Sequence, residues 1–333
     1  MINREDLEDD LVSVVIPAYN CERTIGETLA SVRGQTHQRL EILVVDDGSK
    51  DGSASVVQSH AQADDRVRLI LQANGGVAAA RNTGIEAARG SLIAPVDADD
   101  LWRPRKIERQ LRAMRAGGEH VGLVYCWSSV IDEAGDVTSR EGQSSFAGDV
   151  VPQLFYGNFV GNGSSALMRK DVALAVGGYD ASLRARNAQG CEDWKLYLAI
   201  AERSHFAVVP DHLVGYRYIA GAMSGDVSQM LRSDAIVRAE ILERYPEYKA
   251  ELAWGRMHYV NWQLERERQS GNHRNFDILL EELLSTETSP LRSAARRQFI
   301  RARSLRRRFG DLRGRGKVGG SFLATSTREG AKP

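Results

Sequence analysis

The sequence predicts an α/β fold, with a mostly parallel central sheet and helices on both faces. Three observations carry this. Short apolar runs alternate with helix-patterned stretches through residues 11–130. The runs are continuously apolar, as strands buried on both faces require. The first, second and fourth of them end in polar clusters, which would converge on one rim because ligands of open α/β sheets sit beyond the carboxyl ends of the strands.

The elements follow in order. Leu11 to Ile16 is a strand closed by Pro17, and Ile25, Leu29 and Val32 share one helical face. Glu41 to Val45 is a second strand, Ser53 to Ala63 a helix, and Val67 to Leu71 a third strand. Gly76 to Ala88 is an Ala-rich helix stopped by Gly90, followed by a strand over Ser91 to Val96. Pro104 to Ala116 is helical, with Pro104 in its first turn, and Val121 to Trp127 is a fifth strand. Residues 131–190 read as irregular around one strand, Ser164 to Met168. A helix over Glu192 to Ala201, strands over His205 to Val209 and Leu213 to Tyr218, and a helical stretch from Met230 to Leu284 complete the pattern.

The 333 residues are 42% hydrophobic and 26% charged, with 31 Gly and 8 Pro, which excludes collagen-like and disordered classes. No apolar run reaches the roughly 18 residues of a membrane span. MINREDLEDD carries no signal-peptide pattern. Cys21, Cys126 and Cys191 are too few and too scattered for a disulfide framework or structural zinc, which suits a reducing cytoplasmic setting. The net charge is zero, yet Leu291 to Lys317 holds eleven basic residues against Asp311 alone. A neutral total thus hides a basic tail.

Four constellations carry candidate chemistry. Asp97-x-Asp99, with Asp100 beside it, sets carboxylates at a strand end, where a divalent cation such as Mg²⁺ or Mn²⁺ lets them stay ionised together. Asp46-Asp47-Gly48-Ser49 suits a turn, and a carboxylate there can equally accept from a nucleobase or ribose. Asn74-Gly75-Gly76, then Arg81-Asn82, is a Gly-rich loop entering a helix, but neither a P-loop nor a dinucleotide fingerprint. Glu192-Asp193-Trp194 opens a helix, where acids suit the dipole and an ionised Asp can act as a general base.

Taken together, the motifs resemble the family-2 glycosyltransferases of the GT-A fold, over Leu11 to Ser224. The resemblance rests on Val14-Val15-Ile16-Pro17-Ala18-Tyr19-Asn20, Ser31-Val32-x-x-Gln35-Thr36, and Glu41 to Val45 followed by Asp46-Asp47-Gly48-Ser49-x-Asp51-Gly52. It continues through Asn74-Gly75-Gly76-x-Ala78-x-Ala80-Arg81-Asn82-x-Gly84 and Asp97-Ala98-Asp99-Asp100-x-Trp102 to Gly177-Gly178-Tyr179-Asp180, Glu192-Asp193-Trp194 and Tyr216-Arg217. In this order and spacing the motifs are jointly specific.

The resemblance implies an inverting transfer of sugar from a nucleotide-diphosphate donor, with UDP-sugars the commonest, to a hydroxyl of a glycan or lipid-linked acceptor. By similarity, Pro17, Ala18 and Tyr19 line the nucleoside pocket, Asp47 contacts the base, and Asp46 supports that loop. Arg81 lies near the ribose or diphosphate. Asp97 and Asp99 hold Mn²⁺ or Mg²⁺, with Asp99 the more direct ligand. Asp193 is the catalytic base, and Glu192 and Trp194 shape the acceptor site. The loop Tyr156 to Ser165 resembles the acceptor-side stretch of relatives. Two features depart from the pattern: no His follows Tyr216-Arg217, and no QxxRW motif follows, which disfavours a processive synthase.

The expected organisation is a tail over 1–10 and a GT-A domain over 11–225, split into a donor half (11–130) and an acceptor half (131–225). A helical extension (226–290), a basic amphipathic segment (291–317) and a disordered tail (318–333) follow. Leu291, Ala295, Phe299, Ala302, Leu305, Phe309 and Leu312 form one apolar face among arginines. That pattern favours an anionic membrane surface over a partner helix or the chain's own acidic body, and disfavours nucleic acid. The protein is thus expected in the cytoplasm, peripheral on the inner membrane face. A sugar-phosphate nucleotidyltransferase and a catalytically idle membrane scaffold are the alternatives; the first lacks a basic Gly-rich N-terminal signature, and the intact acids argue against the second.

Overall fold

The computed structural model describes residues 10–141, 143–218, 225–285 and 320–323. Nine strands form one mixed sheet: β1 (Val12–Ala18), β2 (Leu40–Asp46), β3 (Val67–Leu71), β4 (Leu92–Pro95), β5 (Leu101–Trp102), β6 (Val121–Ile131), β7 (Val137–Glu141), β8 (Ala166–Arg169) and β9 (His205–Arg217). The order is β3-β2-β1-β4-β8-β6-β9-β5, with β7 on β6. β1 pairs parallel with β2 and β4, β2 with β3, and β6 with β9. β8 runs antiparallel between β4 and β6, and β5 antiparallel to β9.

β1 and β2 are buried at every position, which explains their unbroken apolar runs. Asp46 ends β2, and Glu41 is the charged exception inside it. Its carboxylate accepts from Ser13 Oγ (2.5 Å), Gly90 N (3.1 Å) and Arg89 Nε (2.9 Å), so no buried charge is left unpaired. The helices α1 (Ile25–Arg33), α2 (Ser53–Ala63), α3 (Val77–Ala87) and α4 (Lys106–Ala116) connect the strands. α3 lies close on β1 because Gly84 has no side chain; a Cβ there would sit 2.3 Å from Val15.

The region expected to be irregular holds more structure than its Gly and Ser content suggested. It contains β7, α5 (Val151–Tyr156), β8, α6 (Lys170–Ala175) and α7 (Ser182–Ala185). The two strands expected over 205–218 are one, β9. The register passes from Cys126↔Val209 to Trp127↔His212, so Pro210 and Asp211 bulge out of an otherwise continuous ladder. α8 (Glu192–Ala201) forms where expected. Pro104 precedes α4 rather than opening it.

The helical extension comprises α9 (Val227–Arg244), α10 (Lys249–Ser270) and α11 (His273–Ser285). Gly271 ends α10 in the left-handed region at φ 75°. The extension is locked to α5: Arg238 pairs with Asp234 (2.9 Å) and donates to the carbonyls of Phe155 (3.1 Å) and Leu252 (3.0 Å). Among the described residues no helix is long and apolar enough to cross a membrane. The basic segment 291–317 lies outside the described residues. The disordered tail expected over 318–333 does not hold for 320–323, where Phe322 is fully buried with Leu101, Ile131 and Val137.

Candidate active site

The loops that follow β1, β2 and β4 leave adjacent parallel strands and meet at their carboxyl ends. Local hydrogen bonds stitch the first two together. Asn20 N donates to Ser49 Oγ (3.0 Å), Lys50 N to Asn20 Oδ1 (2.8 Å) and Cys21 N to Ser53 Oγ (2.8 Å). Asp46 Oδ1 accepts from Ser49 N (2.8 Å), which closes the turn after β2. Pro17 and Ala18 are buried within β1, whereas Tyr19 is about half exposed (51%) above the rim.

Asp47 is almost fully buried, and its carboxylate is taken up by the Gly-rich loop. Oδ1 accepts from Gly75 N and Gln72 Nε2, and Oδ2 from Gly76 N, each at 2.7 Å. Asn74 Nδ2 donates to the Asp47 carbonyl (2.8 Å). Asp47 thus folds the loop over 72–76. Gly76, at φ 91°, suits that loop because a Cβ would meet the Arg184 side chain at 2.8 Å.

Past β4, Asp97, Asp99 and Asp100 part company. Asp97 Oδ1 accepts from Arg81 Nη2 at 2.5 Å, in a pair whose guanidinium is 7% exposed. Burial, together with the Asp97 charge, pushes Asp99 up to about 6, with the Arg217 charge opposing. Asp100 is fully buried and accepts from Ser164 Oγ and from Arg217 N (2.9 Å). Burial drives its carboxyl well above the usual range. Arg217 clasps the turn: Nε donates to the Asp99 carbonyl (2.8 Å), Nη1 to the Glu133 carbonyl (2.5 Å), and Nη2 pairs with Glu27 (2.6 Å).

Residues after 130 bring further groups to Arg81. Asp193, in the first turn of α8, accepts from Trp194 N (2.7 Å) and from Asn158 Nδ2 (3.2 Å). Burial raises its carboxyl to about 7, with Glu192 and Asp97 adding to the rise and Arg81 opposing it. The charges of Asp97, Asp193 and Arg81 therefore act on one another. Arg81 also lies over the Tyr179 ring, 5.1 Å from its centroid, and packs on Gly163, where a Cβ would sit 2.8 Å from Nη2. Glu192 Oε2 accepts from Gly190 N (2.6 Å).

Three buried polar atoms here have no hydrogen-bond partner: Arg81 Nε, Tyr179 Oη and Glu192 Oε1. Such groups cost stability unless a ligand or water meets them. Oxygen donors at Asp97 and Asp99 suit a hard divalent cation. Among the described residues no cluster of three or more such side chains could hold a metal ion. The remaining ligands would have to come from a diphosphate and water, and Asp97 already shares its charge with Arg81.

Trp194 is not placed on the cleft. It is 2% exposed, its Nε1 donates to the Leu154 carbonyl (2.9 Å), and Arg238 stacks on its ring at 4.8 Å. One step along the helix turns its side chain to a different side from that of Asp193. Sequence reading gave no role to Asp100 as a clasp; the signal was a third acid directly before Leu101-Trp102. The sequence puts Asn158 and Ser164 on an acceptor-side loop, with Ser164 also opening a strand; their bonds to Asp193 and Asp100 arise from long-range folding. A cavity of about 610 Å³ lined by His120, His205, Tyr245 and Tyr248 opens elsewhere, at the amino-terminal ends of β6 and β9. The acidic groups described above lie at the other end of the sheet.

With this geometry in place, comparison with known proteins decides the family. The sequence model of Glycosyl transferase family 2 matches residues 13–177. The chain belongs to glycosyltransferase family 2. Among curated family members, Bacillus subtilis TuaG, named for teichuronic acid biosynthesis, is 41% identical over 105 residues, 31% of this chain and 42% of TuaG. The matched regions span about a third to two fifths of the length of the first curated relatives. Two solved glycosyltransferases share the fold. S. aureus TarS 1–349, in complex with UDP-GlcNAc, has a TM-score of 0.58 at 16% identity, covering 85% of this chain and 83% of that one. The mannosyltransferase PcManGT of Pyrobaculum calidifontis, in complex with GDP-Man and Mn²⁺, has a TM-score of 0.55 at 20% identity, covering 89% and 81%. The fold of this family-2 chain is accordingly that of GT-A glycosyltransferases: a mixed central sheet with flanking helices.

Proposed function

We propose that the protein transfers a sugar from a nucleotide-diphosphate donor to a hydroxyl of a glycan or lipid-linked acceptor, with inversion at the anomeric carbon. The observation that supports this reading is the buried Arg81, which pairs with Asp97, lies over Tyr179 and acts electrostatically on Asp193. The acceptor hydroxyl oxygen bonds to the anomeric carbon as the bond to the diphosphate breaks. The electron pair leaves with the diphosphate, and the hydroxyl proton passes to Asp193. One displacement inverts the centre and needs no enzyme nucleophile.

In this reading Tyr19 and the loop shaped by Asp46 and Asp47 hold the nucleoside, and Arg81 neutralises charge beside the diphosphate. Asp99, with Asp97, would hold Mn²⁺ or Mg²⁺, whose charge when bound offsets that of the leaving diphosphate. Asn158 orients Asp193, and the carboxyl near 7 suits a base at neutral pH. Glu192 Oε1 and Tyr179 Oη offer hydrogen bonds to sugar hydroxyls. The UDP-GlcNAc and GDP-Man of the structural neighbours support a nucleotide-sugar donor, and the TuaG likeness supports a cell-envelope polysaccharide acceptor. The cytoplasmic, membrane-peripheral setting belongs to the same proposal and rests on the charge pattern of 291–317.

The test is a transfer assay across nucleotide sugars with Mn²⁺. Asp193→Asn and Asp99→Ala should each abolish transfer while melting cooperatively. Full turnover by either variant would overturn the reading.

A further inference from the structure

We propose that Phe322, close to the carboxyl terminus of the chain, is a positioning residue for the Asp97–Asp100 turn. Its consequence for catalysis rests on the donor-site reading above; the placement itself does not.

The turn leaves through β5, a strand of only two residues paired to β9 alone. Two ladder positions cannot fix a strand by themselves. Leu101, directly after Asp100, lies in a small apolar cluster with Ile131, Val137 and Phe322, separate from the main cores. Phe322 is its largest side chain and is fully buried. The Arg103 guanidinium lies over the same ring, 4.5 Å from its centroid. Residues at both ends of the turn's exit, Leu101 and Arg103, thus rest on one ring.

The fit is specific. Leu101 pairs with Gly215, where a Cβ would lie 3.0 Å from a ring carbon of Phe322. A side chain at 215 would crowd the Phe322 ring and Ile131, which would have to give way by a few tenths of an ångström. The backbone docks as well: Phe322 N donates to the Gly135 carbonyl (2.9 Å), and Ser321 bridges to Asp136. At its entrance the turn is held by Asp97, whose N donates to Ser164 Oγ (3.0 Å) and whose carboxylate pairs with Arg81. At the exit Asp100 is bound by Ser164 and Arg217, so removing the ring loosens the segment that follows it, Leu101 to Arg103, and leaves the entrance held.

The test is hydrogen exchange on the full chain. The amides of Asp100, Trp102 and Arg103 bond to the Asp97 carbonyl, Ser31 Oγ and the Leu213 carbonyl, so they report the turn directly. In Phe322→Ala these amides should exchange at least tenfold faster, with β1–β3 unchanged. Phe322→Leu, which keeps most of the apolar volume, should restore at least half of that protection. Binding of Mn²⁺ alone, read by electron paramagnetic resonance, should weaken at least threefold in Phe322→Ala. Unchanged exchange at 100–103, or equal acceleration across the whole sheet, would overturn the proposal. Should Phe322→Ala not fold, Phe322→Leu is read alone, with a two- to fivefold local acceleration expected and none overturning it. Local acceleration in a protein whose wild type neither binds Mn²⁺ nor transfers sugar upholds the positioning role and refutes the donor-site reading.

Discussion

Arg81 Nη2 donates to Asp97 Oδ1 across 2.5 Å, and the charge of the same guanidinium also acts on Asp193. One buried cation thus balances the acids of both halves of the site. Replacing it by Gln leaves Asp97 uncompensated and removes the charge that opposes the rise of the Asp193 carboxyl. Transfer at pH 7 should fall by about 10²-fold, and the acid limb of the pH profile should move to higher pH. Initial rates over pH 5–9 measure both.

Asp193 itself sets a pH dependence. A base with a carboxyl near 7 is ionised only above that value, so kcat/KM should rise with pH through about 7 and then level. Asp193→Asn should lose roughly 10²–10⁴-fold and flatten the profile.

Stability should follow the opposite course. A carboxyl raised from 3.8 to about 7 binds more protons folded than unfolded, so its contribution falls as pH rises from about 4 to 7. Asp193→Asn should therefore melt above wild type at pH 8, with the gap closing towards pH 4. Calorimetry at the two values checks the sign, and a constant gap would contradict it.

Asp47→Ala removes the acceptor for two backbone N–H groups and the Gln72 amide. Buried donors left unmet cost about 1–3 kcal/mol. Denaturant titration should show a loss of that order, and the KM for the nucleotide sugar should rise.

Trp194→Phe separates a core role from an acceptor role. Loss of the bond to Leu154 and weaker stacking under Arg238 should cost about 1–2 kcal/mol. The acceptor KM should stay within about threefold of wild type, whereas a residue lining the acceptor would change it far more.

What was legible in the sequence follows from range. β1, β2 and β4 could be read because strands buried on both faces leave continuous apolar runs, and α8 because its first-turn acids and apolar spacing are local. β5 could not: two residues carry no period. β9 reads as two strands because Pro210 and Asp211 interrupt the pattern, although pairing with β6 continues past the bulge. Asp97, Asp99 and Asp193 are visible by type and position. Their environment is not, because Arg81, Asn158 and Ser164 are brought to them across 16 to 67 residues. Trp194 misled for the reverse reason: it adjoins the base in sequence, but a step of one residue along a helix turns it to the other side.

The insertion of β8 between β4 and β6 has a practical consequence. A strand contributed by residues 166–169 completes the sheet begun by residues 12–95, so the segments before and after residue 130 are interleaved rather than consecutive. A fragment cut near residue 130 would expose the bare flank of β4 and tend to self-associate. Grafting a new acceptor preference onto this scaffold is better attempted by exchanging the loop over 156–165 than by swapping halves.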